Sequence, residues 1–228
     1  MQDEKAMAII HDIFGVNESF KLPDAIMEML FDKEKRETAM RRYLKEYDND
    51  LSFDGFHKYY EAEQANRKKD KQDFTPDTVA TIMSKLVGSS DMYYEPAAGT
   101  GGIVITKWWN DIKDKSPFFY KPSNNLYRVE ELSDRALPFL LFNLMIRGMN
   151  AIVIHGDVLE RSARGVFFVQ NDLDTYMAFS SLNVMTYSDE VMKEFEIKEW
   201  TGERYPEHIE SKLEVIKNER SISSTTKF

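Results

Sequence analysis

Apolar residues recur at helical spacing through the first quarter of the chain and in short runs separated by helical stretches after it. Met7, Ile10, Ile13 and Phe14 predict a helix over residues 6–14. Leu22-Pro23-Asp24 opens a second, because proline suits a first turn whose N–H groups lack partners anyway. Its stripe is Ala25, Ile26, Met29 and Leu30. Residues 33–47 predict a third helix, amphipathic and highly charged, and residues 51–65 a fourth, capped by Ser52 or Asp54. No chemical motif falls here, so residues 1–71 read as an N-terminal helical domain for packing or partner binding, ending in a charged linker. That linker, Arg67-Lys68-Lys69-Asp70-Lys71, reads as a solvated hinge whose basic groups can also reach phosphate.

Residues 72–200 alternate helix and strand. After a helix over 78–87, strands are expected at 92–94, 126–129, 151–154 and 166–169. They end at Glu95-Pro96, Glu130, Gly156-Asp157 and Asn171. Helices over 101–109 and 133–147 lie between them, the second capped by Ser133. Such alternation predicts an α/β fold with a parallel sheet, whose ligands bind beyond the carboxyl ends of the strands. All four expected strands carry polar or glycine residues at that end. Past Asn171, residues 175–187 show no clear period, 191–195 look helical, 196–200 extended, and 201–228 read as a polar tail.

The chemistry concentrates in Glu95-Pro96-Ala97-Ala98-Gly99-Thr100-Gly101-Gly102, between a strand and a helix. Glycines allow positive φ and close approach of backbone to a ligand, and a helix N-terminus favours negative charge. Alone the turn would also suit a dinucleotide, but it lacks the G-x-G-x-x-G spacing. Glu130, ending the next strand, is placed to accept hydrogen bonds from ribose hydroxyls. Asp157, ending the third, is placed to accept one from an adenine amine. Trp108 and Trp109 read as packing against the sheet, Phe139–Met145 as helix core, and Arg135 and Arg147 as partners of local acids.

Composition narrows the class. Hydrophobic residues at 42% can fill a core. With no cysteine, disulfides, zinc–thiolate clusters and thiol catalysis are excluded, and four scattered histidines do not make a metal site. No apolar run reaches bilayer length and no signal-peptide layout opens the chain, so a cytoplasmic location is expected. A net charge of −9 argues against a broad DNA-binding surface, so DNA affinity is expected to come from a partner.

Four segments, KQDFTPDTVATIMSKLV, YYEPAAGTGGIVI, YRVEELSDRA and IHGDVL, together resemble the N6-adenine DNA methylase family. Its best-known members are modification subunits of type I restriction systems. The resemblance spans residues 72–172 and implies a Rossmann-like S-adenosylmethionine-dependent methyltransferase core. By position, Phe74, Thr75 and Pro76 match the segment closing over the methionine end of the cofactor. Glu95, Ala97, Gly99, Thr100 and Gly101 fall in the cofactor loop, with Ala98 where the family often has cysteine. Glu130 matches the ribose-binding acid, the adjacent Glu131 leaving the position open by one residue, and Asp157 the adenine-binding acid. Asn143 matches a family position expected to bond nearby backbone.

The fourth strand departs from the family. An Asn/Asp-Pro-Pro-aromatic motif there would hold the target amine and stack on the flipped base. This chain has Asn171 in the first position, no proline after it, and Tyr176 as the first aromatic. A complete fold of this class also has further strands and a DNA-reading region, and only residues 173–228 remain. The resemblance therefore implies an adenine-specific DNA methyltransferase using S-adenosylmethionine without a metal. Asn171 would orient the amine, and a specificity partner, a second copy or restriction–modification subunits would place the DNA. The alternative is a catalytically degenerate homologue that holds the cofactor or modulates a restriction–modification complex.

Overall fold

The computed structural model describes residues 2–57, 59, 92–115 and 119–211. The expected helix at 78–87, the charged linker, and Phe74, Thr75 and Pro76 lie outside the described residues.

Helices α1 (Gln2–Phe14), α2 (Leu22–Leu30) and α3 (Lys33–Glu46) form where the apolar spacing puts them. Pro23 sits in the first turn of α2, and Asp32 caps α3 by accepting from Lys35 N at 3.2 Å. The helix expected from residue 51 starts later. Residues 51–56 form turns, with Asp54 Oδ1 accepting from Phe56 N.

Strand β1 (Met92–Glu95) leads through α4 (Gly102–Lys115) to β2 (Leu126–Glu131), then through α5 (Leu137–Ile146) to β3 (Asn150–Asp157). These three strands are parallel, with Tyr93 opposite Tyr127 and Val129 opposite Val153. Side chains alternate across a strand. Tyr93, Tyr127, Val129, Ala151 and Val153 therefore share one face, under α4 and α5, and join the core that also takes in α1–α3. Ile152 and Ile154 point to the other face, where a smaller cluster is closed by α6 (Asp189–Phe195).

The fourth strand corrects the all-parallel expectation. β4 (Ser162–Gln170) follows β3 after a four-residue turn and pairs with it antiparallel, Ala151 opposite Val169 and Asp157 opposite Ser162. A connection this short can only return the chain alongside itself, since a parallel partner needs a crossover of a dozen residues or so. β5 (Ser181–Val184) is antiparallel to β4, and β6 (Glu199–Trp200) pairs with the start of β4 in parallel. Residues 201–211, expected in a polar tail, return across the sheet. Tyr205 packs on Phe167, and Glu210 forms a buried bidentate pair with Arg36 of α3 at 2.9 and 2.6 Å. Among the described residues no helix is long and apolar enough to cross a membrane.

Candidate functional site

A cleft of about 420 Å³ opens at the carboxyl ends of β1, β2 and β3. Its walls are residues 95–100 with Gly102 and Ile103, Glu131 and Leu132, residues 156–159, and His57 from the N-terminal segment.

The glycine-rich turn forms one wall. Gly99 and Gly101 have φ of 57° and 102°, which side chains with a Cβ rarely adopt. Ala98 N donates to Glu130 O at 2.9 Å and Gly99 N to Glu131 Oε2 at 2.7 Å, so the turn is fastened to the end of β2. Gly101 is buried behind the wall, where a Cβ would lie 3.1 Å from Leu140 Cδ1. Thr100 points its hydroxyl away, to Asp54 at 2.5 Å.

Of the two acids ending β2, the cleft receives Glu131 and not Glu130. Strand alternation decides this: Glu131 shares the face of Tyr127 and Val129, while Glu130 shares that of Arg128. Glu130 accepts from the Tyr94 hydroxyl at 3.0 Å and lies 3.4 Å from both Arg128 and Arg161, on the α6 side of the sheet. Glu131 takes Gly99 N on one oxygen and Ser133 N, at 2.7 Å, on the other.

Glu95 faces the same cleft, 6% exposed, with the Tyr93 hydroxyl donating to it at 3.2 Å. Burial pushes its carboxyl up to about 8, with Glu131 adding to the rise against the Tyr93 and Val104 donors. Burial also raises Glu131, opposed by its backbone donors. Two carboxyls sharing a poorly hydrated wall favour a ligand that brings positive charge. Asp157 lines the opposite side, its Oδ1 accepting from Leu159 N and Glu160 N at 2.8 and 3.0 Å, which shapes the rim turn. Leu132 and Leu159 are exposed at 63% and 89%, giving the mouth an apolar lip.

Asn171 is not at this site. Because β4 runs antiparallel, its end lies beside the start of β3, and Asn171 N donates to Asn150 Oδ1 at 2.7 Å. The length of β3 places it about 20 Å from the cleft. Its amide is buried and committed to backbone: Nδ2 donates to Gly148 O at 2.9 Å and Thr175 O at 2.7 Å, and Oδ1 accepts from Thr175 N. It organises the loop after β4 and presents no acceptor to a base in the cleft.

Other expectations resolve by packing. Trp108 is buried in the core, and Asn143 bonds Thr100 O at 2.8 Å. Arg147 is fully buried and serves carbonyls of Leu51, Phe53 and Asn143 rather than acids, and Arg135 donates to Phe20 O. His57 reaches the wall from nearly forty residues earlier in the chain, and no local sequence signal marks it.

A family model described as N-6 DNA Methylase matches residues 53–208. Comparison with curated proteins and with solved structures gives no match.

Proposed function

The chain belongs to the N-6 DNA methylase family, and from that premise we propose that its cleft binds S-adenosylmethionine for methyl transfer to adenine N6 in DNA. The observation that carries this reading is the convergence of the glycine turn, Glu95, Glu131 and Asp157 on one cleft beyond three parallel strands. This Rossmann-like half fits the cofactor in size and donor set. Pockets of several hundred cubic ångströms suit a nucleoside with an amino-acid tail. Glu131 supplies acceptors for ribose hydroxyls and Asp157 one for the adenine amine. Glu131 and, once it gives up its proton to the bound cation, Glu95 supply negative charge toward the cationic end, and Leu132 and Leu159 offer apolar cover for the ring. When bound, the cofactor supplies an already activated methyl group. The chain's own residues hold and orient it and keep water from its charged end.

The chain does not supply a base-holding motif in the family's form. It contains no Pro-Pro pair, and Asn171 stands at the opposite end of the sheet. We therefore assign base holding and DNA placement to a partner: a specificity or modification subunit, or a second copy. The same observation favours a second reading, a homologue that holds the cofactor without transferring its methyl group.

Equilibrium dialysis with tritiated S-adenosylmethionine, competed by S-adenosylhomocysteine and by NAD, tests the first step. Competition by the homocysteine and none by NAD is expected. Tritium incorporation into unmethylated duplex DNA tests the second. None is expected from the chain alone, and incorporation on adding a cognate specificity subunit decides for the enzyme over the binding protein. Transfer by the isolated monomer would overturn the assignment of base holding to a partner.

A further inference from the structure

The segment joining the N-terminal helices to the methylase region runs behind the glycine turn. Asp54 Oδ2 accepts from Thr100 Oγ1 at 2.5 Å, and its Oδ1 accepts from Asn143 Nδ2 and Phe56 N, each at 2.9 Å. Asn143 Nδ2 also donates to Thr100 O at 2.8 Å, so side chain and backbone of Thr100 are held from the same two residues. Arg147 closes the network. It donates to Asn143 Oδ1 at 2.9 Å, Leu51 O at 3.0 Å and Phe53 O at 2.6 Å, fixing the segment just before Asp54. Thr100, Asn143 and Arg147 are each at most 2% exposed. Phe56 is fully buried among the rings of Phe14, Tyr43 and Phe142, which ties the same segment to α1, α3 and α5. One residue further, His57 stands on the cleft wall. The family match begins at residue 53, so most of this segment, Asp54 included, falls inside it while α1–α3 fall outside.

We propose that residues 51–57 are a strap that sets the conformation of the cofactor turn, with Asp54 as its positioning residue. The proposal rests on the cofactor reading for its ligand, but not for the turn itself. Asp54 does not itself line the cleft. It acts by holding Thr100, and through it the Gly99 and Gly101 conformations that shape the wall. An acceptor shared by three donors clamps them together, and removing it leaves buried donors unsatisfied.

The test compares wild type with Asp54→Ala, Asp54→Asn and Thr100→Ser, and with Arg36→Ala as a variant destabilised far from the cleft. S-adenosylmethionine affinity is measured by calorimetry and, without ligand, amide exchange at residues 97–101 by NMR or mass spectrometry. Asp54→Ala should weaken binding about ten-fold or more and speed exchange of the turn selectively over β3. Asp54→Asn and Thr100→Ser, which keep bonding atoms in place, should recover most of both. Arg36→Ala should lower Tm without either effect. If Asp54→Ala does not fold, Thr100→Val takes its place. If wild type binds no cofactor, the exchange measurement alone decides, since it needs no ligand. Unchanged turn exchange in Asp54→Ala, or an equal effect from Arg36→Ala, would overturn the proposal.

Discussion

Glu95→Gln removes a buried carboxyl while keeping its shape and an acceptor for the Tyr93 hydroxyl. In the folded protein this group titrates near 8 because it is buried beside Glu131, against an ordinary value of 4.5. Below pH 4.5 both folded and unfolded chains hold the proton and nothing is lost. Between 4.5 and 8 the unfolded chain releases a proton that the folded one keeps, so stability falls as pH rises, and above 8 the loss is constant. With those two values the cost is under roughly 1 kcal/mol at pH 5 and roughly 3 kcal/mol at pH 7. His155 has the opposite slope. Burial lowers its imidazole to about 4, so its contribution is lost as pH falls from about 6.5 toward 4. It is common to both proteins and cancels in their difference. Urea unfolding of wild type and variant at pH 5, 6, 7 and 8 measures that difference directly. The variant should gain roughly 2 kcal/mol on wild type between pH 5 and 7, with little further gain above 8. Parallel stability curves would show that Glu95 ionises normally and that burial does not hold its proton. If the argument holds, S-adenosylmethionine binding at pH 7 should also release a proton, read as a dependence of the binding enthalpy on buffer.

Asn171→Ala should cost about 2 kcal/mol in stability by leaving carbonyls of Gly148 and Thr175 without their donor. It should leave cofactor affinity unchanged, as chemical denaturation and calorimetry will show. Arg36→Ala leaves the buried Glu210 carboxylate without its guanidinium and should cost about 3–5 kcal/mol at neutral pH. The deficit should shrink in acid, because Arg36 and His208, outweighing the effect of burial, hold that carboxyl below its usual range. Glu130→Ala should lower Tm through loss of the Arg128 and Arg161 contacts while cofactor affinity stays within about three-fold.

The parallel half of the sheet was legible because each strand carries its own signal: β-branched and aromatic residues, then a glycine or acid where the chain turns. The sequence assigned the ribose acid to Glu130 and left it open by one residue; parity from Tyr127 and Val129 points to Glu131 only once the strand is carried two residues past its apolar run. β4 was misplaced because strand periodicity says nothing of direction. The signal lay in the four residues between Asp157 and Ser162, too few for a crossover. β5 escaped notice because Ser181 and Asn183 are buried polar residues, satisfied by Asp172, the Phe168 carbonyl and Ser211, so the alternation that marks a half-exposed strand is missing. The Asp54 strap was invisible for a different reason. Its contacts span 46 and 89 residues, and in sequence Asp54 reads only as a helix cap.

The central claim is that the cleft ending β1–β3 binds S-adenosylmethionine through Glu131. The direct measurement is a calorimetric titration of wild type, Glu131→Ala and Glu130→Ala with S-adenosylmethionine, each protein first checked for folding by its unfolding transition. Binding by wild type and Glu130→Ala with loss of at least about ten-fold in affinity for Glu131→Ala is the predicted result. No binding by folded wild type at millimolar cofactor, or equal binding by all three, would contradict it.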